Sequence, residues 1–302
     1  MPRSRFLFYV INPHSGVGTG RYARTRIKDL VREGREEAEI RSLHHHDDIR
    51  EIVRDGIAKG ATDIIAVGGD GTVSGVAGAV ARKNVNMGIV PVGTANMLAR
   101  ELGIPLTVAG SLRVIHGRHS IRHIDAMEIG EERYVYQIVL GPSSEALSRL
   151  TPVGKKLFGR YAYVLAGMRM LADFHPLWTY GMIDGKEVRM WASQIMIANA
   201  GILGAKPFRV GPDVRADDGK VEVVIMKGRT RTSFVTAGID LVTGNYYSKN
   251  GLRYFSARDH IRLKCEPRTL VKADGEFIGP TPVEIRILPR AVNIIVPPLN
   301  GR

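Results

Sequence analysis

A single cysteine in 302 residues leaves the chain without an internal disulfide. That residue, Cys265, sits in the alternating stretch Ile261-Arg262-Leu263-Lys264-Cys265 and is expected as a half-buried strand residue rather than a nucleophile. Long apolar runs are missing as well. Stretches such as Phe6 to Ile11 and Val221 to Met226 fall well short of the roughly 18 residues a spanning helix needs. The start, Met1-Pro2-Arg3-Ser4-Arg5, leads directly into a strand-like segment with no signal peptide, so a cytoplasmic chain is expected. There is no zinc-finger spacing, RRM-type aromatic motif or helix-turn-helix, which argues against a nucleic-acid partner. The G-x-x-x-x-G-K-[ST] phosphate loop and the H-R-D and D-F-G segments of protein kinases are also absent, so the common ATP-binding folds fit poorly. No internal repeat or low-complexity linker interrupts the chain.

What is present is enough for two ordinary domains, with 44% hydrophobic and 24% charged residues. A formal charge of +13 calls for an anionic partner, either a nucleotide or the acidic face of a membrane once nucleic acid is set aside. The first hundred or so residues alternate strand-like runs (Phe6 to Ile11, Asp63 to Val67, Met87 to Val90) with helical spacing at Ala23, Ile27, Leu30 and Val31 and again at Ile49, Ile52, Val53 and Ile57. That order predicts a three-layer α/β unit on a mainly parallel sheet, whose ligands bind at the carboxyl ends of the strands. From about Ile121 the pattern changes to period-two alternation, as in Arg133 to Val139, which predicts a β-rich, sandwich-like second unit. Helices are expected within it over Lys155 to Asp173 and Arg231 to Val242, and final strands over Pro282 to Leu288 and Val292 to Val296. The boundaries read as 1–123 for a nucleotide-binding domain and 124–289 for a substrate domain, with 290–302 returning to the first.

Chemistry is concentrated in three loops. Gly68-Gly69-Asp70-Gly71-Thr72 joins a strand to an apolar helix, where glycines let backbone N–H groups approach a phosphate and the helix terminus adds positive charge. A carboxylate beside phosphates requires a cation between them, so Asp70 points to Mg²⁺; alone, the same loop also reads as a turn with Asp70 as helix cap. Asn12-Pro13-His14-Ser15-Gly16 and Pro91-Val92-Gly93-Thr94-Ala95-Asn96 follow two further strands with hydroxyl and amide groups. Three such strand ends favour a nucleotide site. Asp274-Gly275-Glu276 near the carboxyl end reads in isolation as a hairpin turn, and so does Asp217-Asp218-Gly219-Lys220.

N-P-x-S-G, G-G-D-G-T, P-x-G-T-x-N and D-G-E, in this order over nearly the whole chain, resemble the catalytic family of diacylglycerol kinases, which includes sphingosine, ceramide and bacterial lipid kinases. The resemblance implies a fold like that of NAD kinase and diacylglycerol kinase, with ATP and Mg²⁺ as co-substrate and cofactor and transfer of the γ-phosphate to a lipid hydroxyl, diacylglycerol first. It implies Glu276 as the base, with Asp274 supporting it and helping to hold the catalytic metal with Asp70. It assigns ATP to Asn12, Pro13, His14, Ser15, Gly16, Gly68, Gly69, Asp70, Gly71, Thr72, Thr94 and Asn96, and more loosely to Ser42. A second, structural Mg²⁺ is implied at Asp218 with the backbones of Arg215 and Lys220. The family also implies peripheral association with the inner, anionic membrane face, and a homodimer is compatible with it. A sphingoid-base kinase, an NAD-kinase-like enzyme that shares G-G-D-G-T, and a non-catalytic sensor are the alternatives.

Other features carry less. His44-His45-His46-Asp47-Asp48 has metal-ligand composition, but consecutive residues share no face, and an aspartate there is a natural cap for the next helix. Relative to the family pattern, Met97 stands where aspartate is common and Gln137 where asparagine is. Gly141 to Glu145 and Asn199 to Lys206 also depart from it, and these changes leave the lipid open.

Overall fold

The computed structural model describes residues 5–16, 18–33, 37–142, 171–172, 174–202, 209–247 and 251–298. The helix expected over 155–173 lies, apart from Leu171 and Ala172, outside the described residues, as do 143–145 and 203–206 of the two departing segments.

The amino-terminal half follows from its apolar runs. β1 (Phe6–Ile11), β3 (Asp63–Gly68) and β4 (Asn86–Pro91) are continuous hydrophobic strands, and side chains of both faces are buried. β2 (Glu37–Ser42) adds to the edge, so the parallel order is β2-β1-β3-β4. Alternation along β1 divides the core. Leu7, Tyr9 and Ile11 cluster with Ala23 and Ile27 of α1 (Thr19–Arg32) and Leu112 and Ile115 of α5 (Val108–His116). Phe8 and Val10 cluster instead with Ile52 and Val53 of α2 (Ile49–Ala58) and Val73 and Val76 of α3 (Asp70–Val80). Between β4 and α5 lies the short α4 (Met97–Glu101).

Two long strands carry the sheet into the carboxyl-terminal half. β5 (Ser120–Ile129) runs antiparallel along β15 (Val283–Val296), which pairs with β12 (His260–Glu266) near its start and, parallel, with β4 at Asn293 and Ile294. The two final strands expected at 282–288 and 292–296 are thus one strand, with a register shift between Leu288 and Val292. Beyond β12 the order is β8 (Leu177–Ile183), β9 (Lys186–Ala198), β7 (Gln137–Leu140), β13 (Leu270–Ala273) and β14 (Glu276–Pro280), with β10 (Val221–Lys227) and β11 (Leu252–Ala257) branching from β9. This half is β-rich and sandwich-like around Ile138, Ile195, Val223, Ile261 and Ile285. α6 (Arg231–Thr243), expected from its spacing, covers a smaller cluster of Met196, Val224 and Met226.

Three local expectations change. The alternation over Arg133–Val139 is broken by a bend at Val135 and Tyr136 between β6 (Glu132–Tyr134) and β7, because N–H groups there turn to the carboxylate of Asp274. Asp217–Lys220 forms a turn but no hairpin, since β10 takes its partners from β9 and β11. Cys265 is fully buried, not half-buried, and burial pushes its thiol up to about 11.

Candidate active site

The parallel register brings the expected loops together. Ile11 pairs with Ser42 and Val67, and Gly68 pairs with Pro91, so the strands end along one edge. Asn12 N donates to Val67 O at 2.8 Å and Val92 N to Gly68 O at 3.0 Å, extending the ladder into the loops. Side chains complete the join: Gly69 N donates to Ser15 Oγ at 3.3 Å and Asn12 Nδ2 to Thr72 Oγ1 at 3.3 Å. Gly69 and Gly93 lie so close that a Cβ on Gly93 would sit 2.6 Å from the Cα of Gly69, so only glycine fits. Asn96, left-handed at φ 48°, brackets Gly93 by donating from Nδ2 to its carbonyl and accepting its N–H. Pro13, His14 and Gly16 share the first loop, and Gly71 begins α3 beside Asp70; Thr94 and His14 are exposed at the surface of the cluster.

Asp70 is already engaged. Its Oδ2 accepts Asn96 N at 3.0 Å and its Oδ1 accepts Met97 N at 2.6 Å, so it clamps the third loop and caps α4. Each oxygen keeps one lone pair. Asp70 therefore fits a cation shared with phosphate oxygens, although among the described residues no group of three or more His, Cys, Asp or Glu gathers for a metal.

Below the loops, a cavity of about 770 Å³ opens between α2, α3, β6 and the β13–β14 turn, lined by Gly71, Ser74, Gly78, Tyr134, Asp274 and Glu276. A Cβ at Gly78 would lie 2.5 Å from the Arg133 carbonyl oxygen, so glycine there lets β6 close against α3. Its lining mixes charge: Arg50, Arg54, Arg82, Lys83 and Arg133 stand among Asp47, Asp48, Glu131 and Glu132, and Arg50 pairs with Glu132.

The D-G-E turn divides its two carboxylates between different tasks. Asp274, left-handed at φ 46°, directs its carboxylate inward, where Oδ1 accepts Tyr136 N (3.0 Å) and Gln137 N (2.9 Å). Oδ2 accepts Val135 N (2.8 Å) and the Ser74 hydroxyl. Burial pushes this carboxyl above its ordinary range, while the four donors pull the other way. With every lone pair occupied, Asp274 holds the turn in place and has none left for a metal, unlike the shared metal-holding part the resemblance implies. Glu276, the first residue of β14, is exposed on the same cavity; its backbone pairs with Ala273, and its carboxylate has no hydrogen bond or ion pair among the described residues.

The second expected metal position lies elsewhere. Asp217 is held below its ordinary range: burial opposes this, but Arg122 Nε at 2.7 Å and Arg215 Nε at 3.2 Å prevail. Asp218 Oδ1 is buried with no partner among the described residues, and burial pushes that carboxyl up against the pull of Lys220. An orphaned, buried carboxylate oxygen fits a hard cation. The turn hangs on Asp125, fully buried, whose carboxylate accepts Gly219 N and Arg290 N, each at 2.8 Å. Asp125 was detectable as a charge inside the apolar run Ile124-Asp125-Ala126-Met127, which demands partners. Ser74 and the Val135–Gln137 bend carried no such signal. His44, His45 and His46 are exposed, with Asp48 capping α2 through Arg50 N at 2.8 Å.

Comparison with known proteins agrees with this architecture. Residues 7–129 match the family profile of the diacylglycerol kinase catalytic domain, and residues 143–296 that of the YegS C-terminal NAD kinase beta sandwich-like domain. A probable lipid kinase of YegS-like type from Pseudomonas aeruginosa is 30% identical over 274 residues, covering 88% of this chain and 87% of that one. An uncharacterized protein of Synechocystis sp. is 30% identical over 252 residues, covering 80% of this chain and 57% of its own length. A diacylglycerol kinase crystal structure from Bacillus anthracis superposes with a TM-score of 0.74 over 99% of each chain at 20% identity, which speaks for the fold.

Proposed function

The chain belongs to the diacylglycerol kinase catalytic-domain family with a YegS-type C-terminal domain, a family of lipid phosphotransferases, and from that premise we propose that it moves the γ-phosphate of ATP to a lipid hydroxyl. Diacylglycerol is the first acceptor and phosphatidic acid the product. The observation that carries this reading is Glu276, an unengaged carboxylate facing the cavity that also contains the first turns of α3, just behind the glycine loops.

In this reading the loop N–H groups and the amino end of α3 cradle the phosphates. Glu276 takes the proton from the acceptor hydroxyl as its oxygen bonds to the γ-phosphorus and the bond to the β-phosphate oxygen breaks, releasing ADP. Asp274 acts on Glu276 only through the turn it anchors. Mg²⁺, held by one of the two remaining lone pairs of Asp70, would offset charge on the phosphates, and a second ion would satisfy Asp218. No described helix is long and apolar enough to cross a membrane. In this reading the lipid is met at a bilayer surface, where the net charge of +13 suits anionic headgroups.

The test is incubation with labelled ATP, Mg²⁺ and a panel of diacylglycerol, sphingoid bases, other lipids and NAD, with labelled products identified by mass. Labelled phosphatidic acid is expected; label on NAD and on no lipid sinks the proposal.

A further inference from the structure

α3 and the Val135–Gln137 bend face each other across the two halves of the chain. Among the described residues their hydrogen-bonded link runs through Asp274, where Ser74 donates to the carboxylate that the bend's own N–H groups hold. Asp70 lies four residues before Ser74, one turn back on the same face of α3. Opposite it, the bend supplies Tyr136.

Tyr136 is 3% exposed, and its ring belongs to the same apolar cluster as Val73 of α3 and Leu98 and Ala99 of α4. Its hydroxyl is buried with no hydrogen-bond partner among the described residues. A phenol is a protonated donor at neutral pH, and Asp70 and Asp274 are the carboxylates whose charge reaches it. A buried donor without an acceptor is costly, which makes such a group a pointer to a second state of the site. Of the two neighbouring carboxylates, Asp274 has no lone pair left, whereas Asp70 has one on each oxygen.

We propose that Tyr136 is a positioning residue for Asp70: when nucleotide occupies the glycine loops, the Tyr136 hydroxyl donates to the Asp70 carboxylate and makes a second link between α3 and the bend. This rests on the nucleotide reading above and adds the residue that transmits occupancy of the loops to the Asp274–Glu276 turn. It also explains a tyrosine at a site where leucine or phenylalanine would fill the same apolar space.

Tyr136→Phe keeps the ring and removes only the hydroxyl. Both chains are melted without nucleotide and with saturating magnesium and a non-hydrolysable ATP analogue, and the analogue's affinity is measured by calorimetry. The ligand-free variant is expected to melt at the same temperature as the unaltered chain or higher, because an unsatisfied buried group has gone. Its affinity for the analogue is expected to fall roughly ten- to a hundredfold, as for the loss of a hydrogen bond to a charged group. A variant equally destabilised with and without analogue shows that the hydroxyl is already satisfied in the free protein and overturns the proposal, as does unchanged affinity. If the unaltered chain itself fails to bind the analogue, the nucleotide reading falls and takes this proposal with it.

Discussion

Ser74 donates its hydroxyl to the carboxylate of Asp274, 200 residues away in sequence, and so ties the helix behind the glycine loop to the turn that carries Glu276. Removing the hydroxyl leaves the three backbone donors of Asp274 in place, so Ser74→Ala is expected to cost about 1.5–3 kcal/mol, the usual worth of a hydrogen bond to a charged group. Asp274→Asn is expected to cost more, because its amide nitrogen turns a donor toward backbone N–H groups. Urea unfolding of both variants and the double variant should give strongly non-additive losses.

The Glu276 carboxylate makes no bond among the described residues, so Glu276→Gln is expected to leave the melting temperature and nucleotide affinity unchanged. Phosphate transfer should fall by roughly a hundred- to ten-thousandfold. Near-normal turnover in single-turnover assays would remove Glu276 from the role of base.

Gly93→Ala places a methyl group 2.6 Å from the Cα of Gly69, where only backbone can yield. A loss of about 1–3 kcal/mol in stability is expected, with weaker nucleotide binding, because the two phosphate loops must separate. Thermal melts and nucleotide titration read these two effects separately.

The orphaned Asp218 Oδ1 predicts that Mg²⁺ raises the melting temperature of the ligand-free protein and that a chelator lowers it. At a hundred times its dissociation constant, a bound ion adds about 2.7 kcal/mol. Asp218→Ala should abolish the response; an undiminished response places the ion elsewhere.

Asp184 closes the β8–β9 turn and accepts the N–H groups of Arg258, Asp259 and His260. Partial burial pushes its carboxyl up, but the three donors together hold it below the ordinary value of 3.8. The unfolded chain thus binds more protons than the folded one between the two values, so this stabilisation is present above 3.8 and is lost as pH falls through the folded value. Asp184→Asn should be less stable near neutral pH, with the deficit shrinking in acid, as melts across pH would show.

Strands such as β1 and β3 were legible because a continuous apolar run can only be buried. β2 was not, since Glu37-Ala38-Glu39-Ile40-Arg41-Ser42 is an edge strand whose pairing with β1 supplies what its composition does not. The bend at Val135 and Tyr136 was hidden for another reason: its cause, Asp274, lies 138 residues beyond Tyr136, and nothing local interrupts the alternation.

The sequence by itself determined the order of the glycine loops, the tight Asp-Gly turn before Glu276 and the positive charge, because each depends on a residue's own backbone freedom or ionisation. Only the tertiary structure decided which carboxylate does what. Asp70, Asp274, Glu276 and Asp218 are all acids in turns or at strand or helix ends, and they differ in the donors that reach them. Asn96 and Met97 come to Asp70, Ser74 and the 135–137 bend to Asp274, and no described donor to Glu276 or to Asp218 Oδ1. Those donors come largely from distant parts of the chain, and only the packed fold brings them within hydrogen-bonding range.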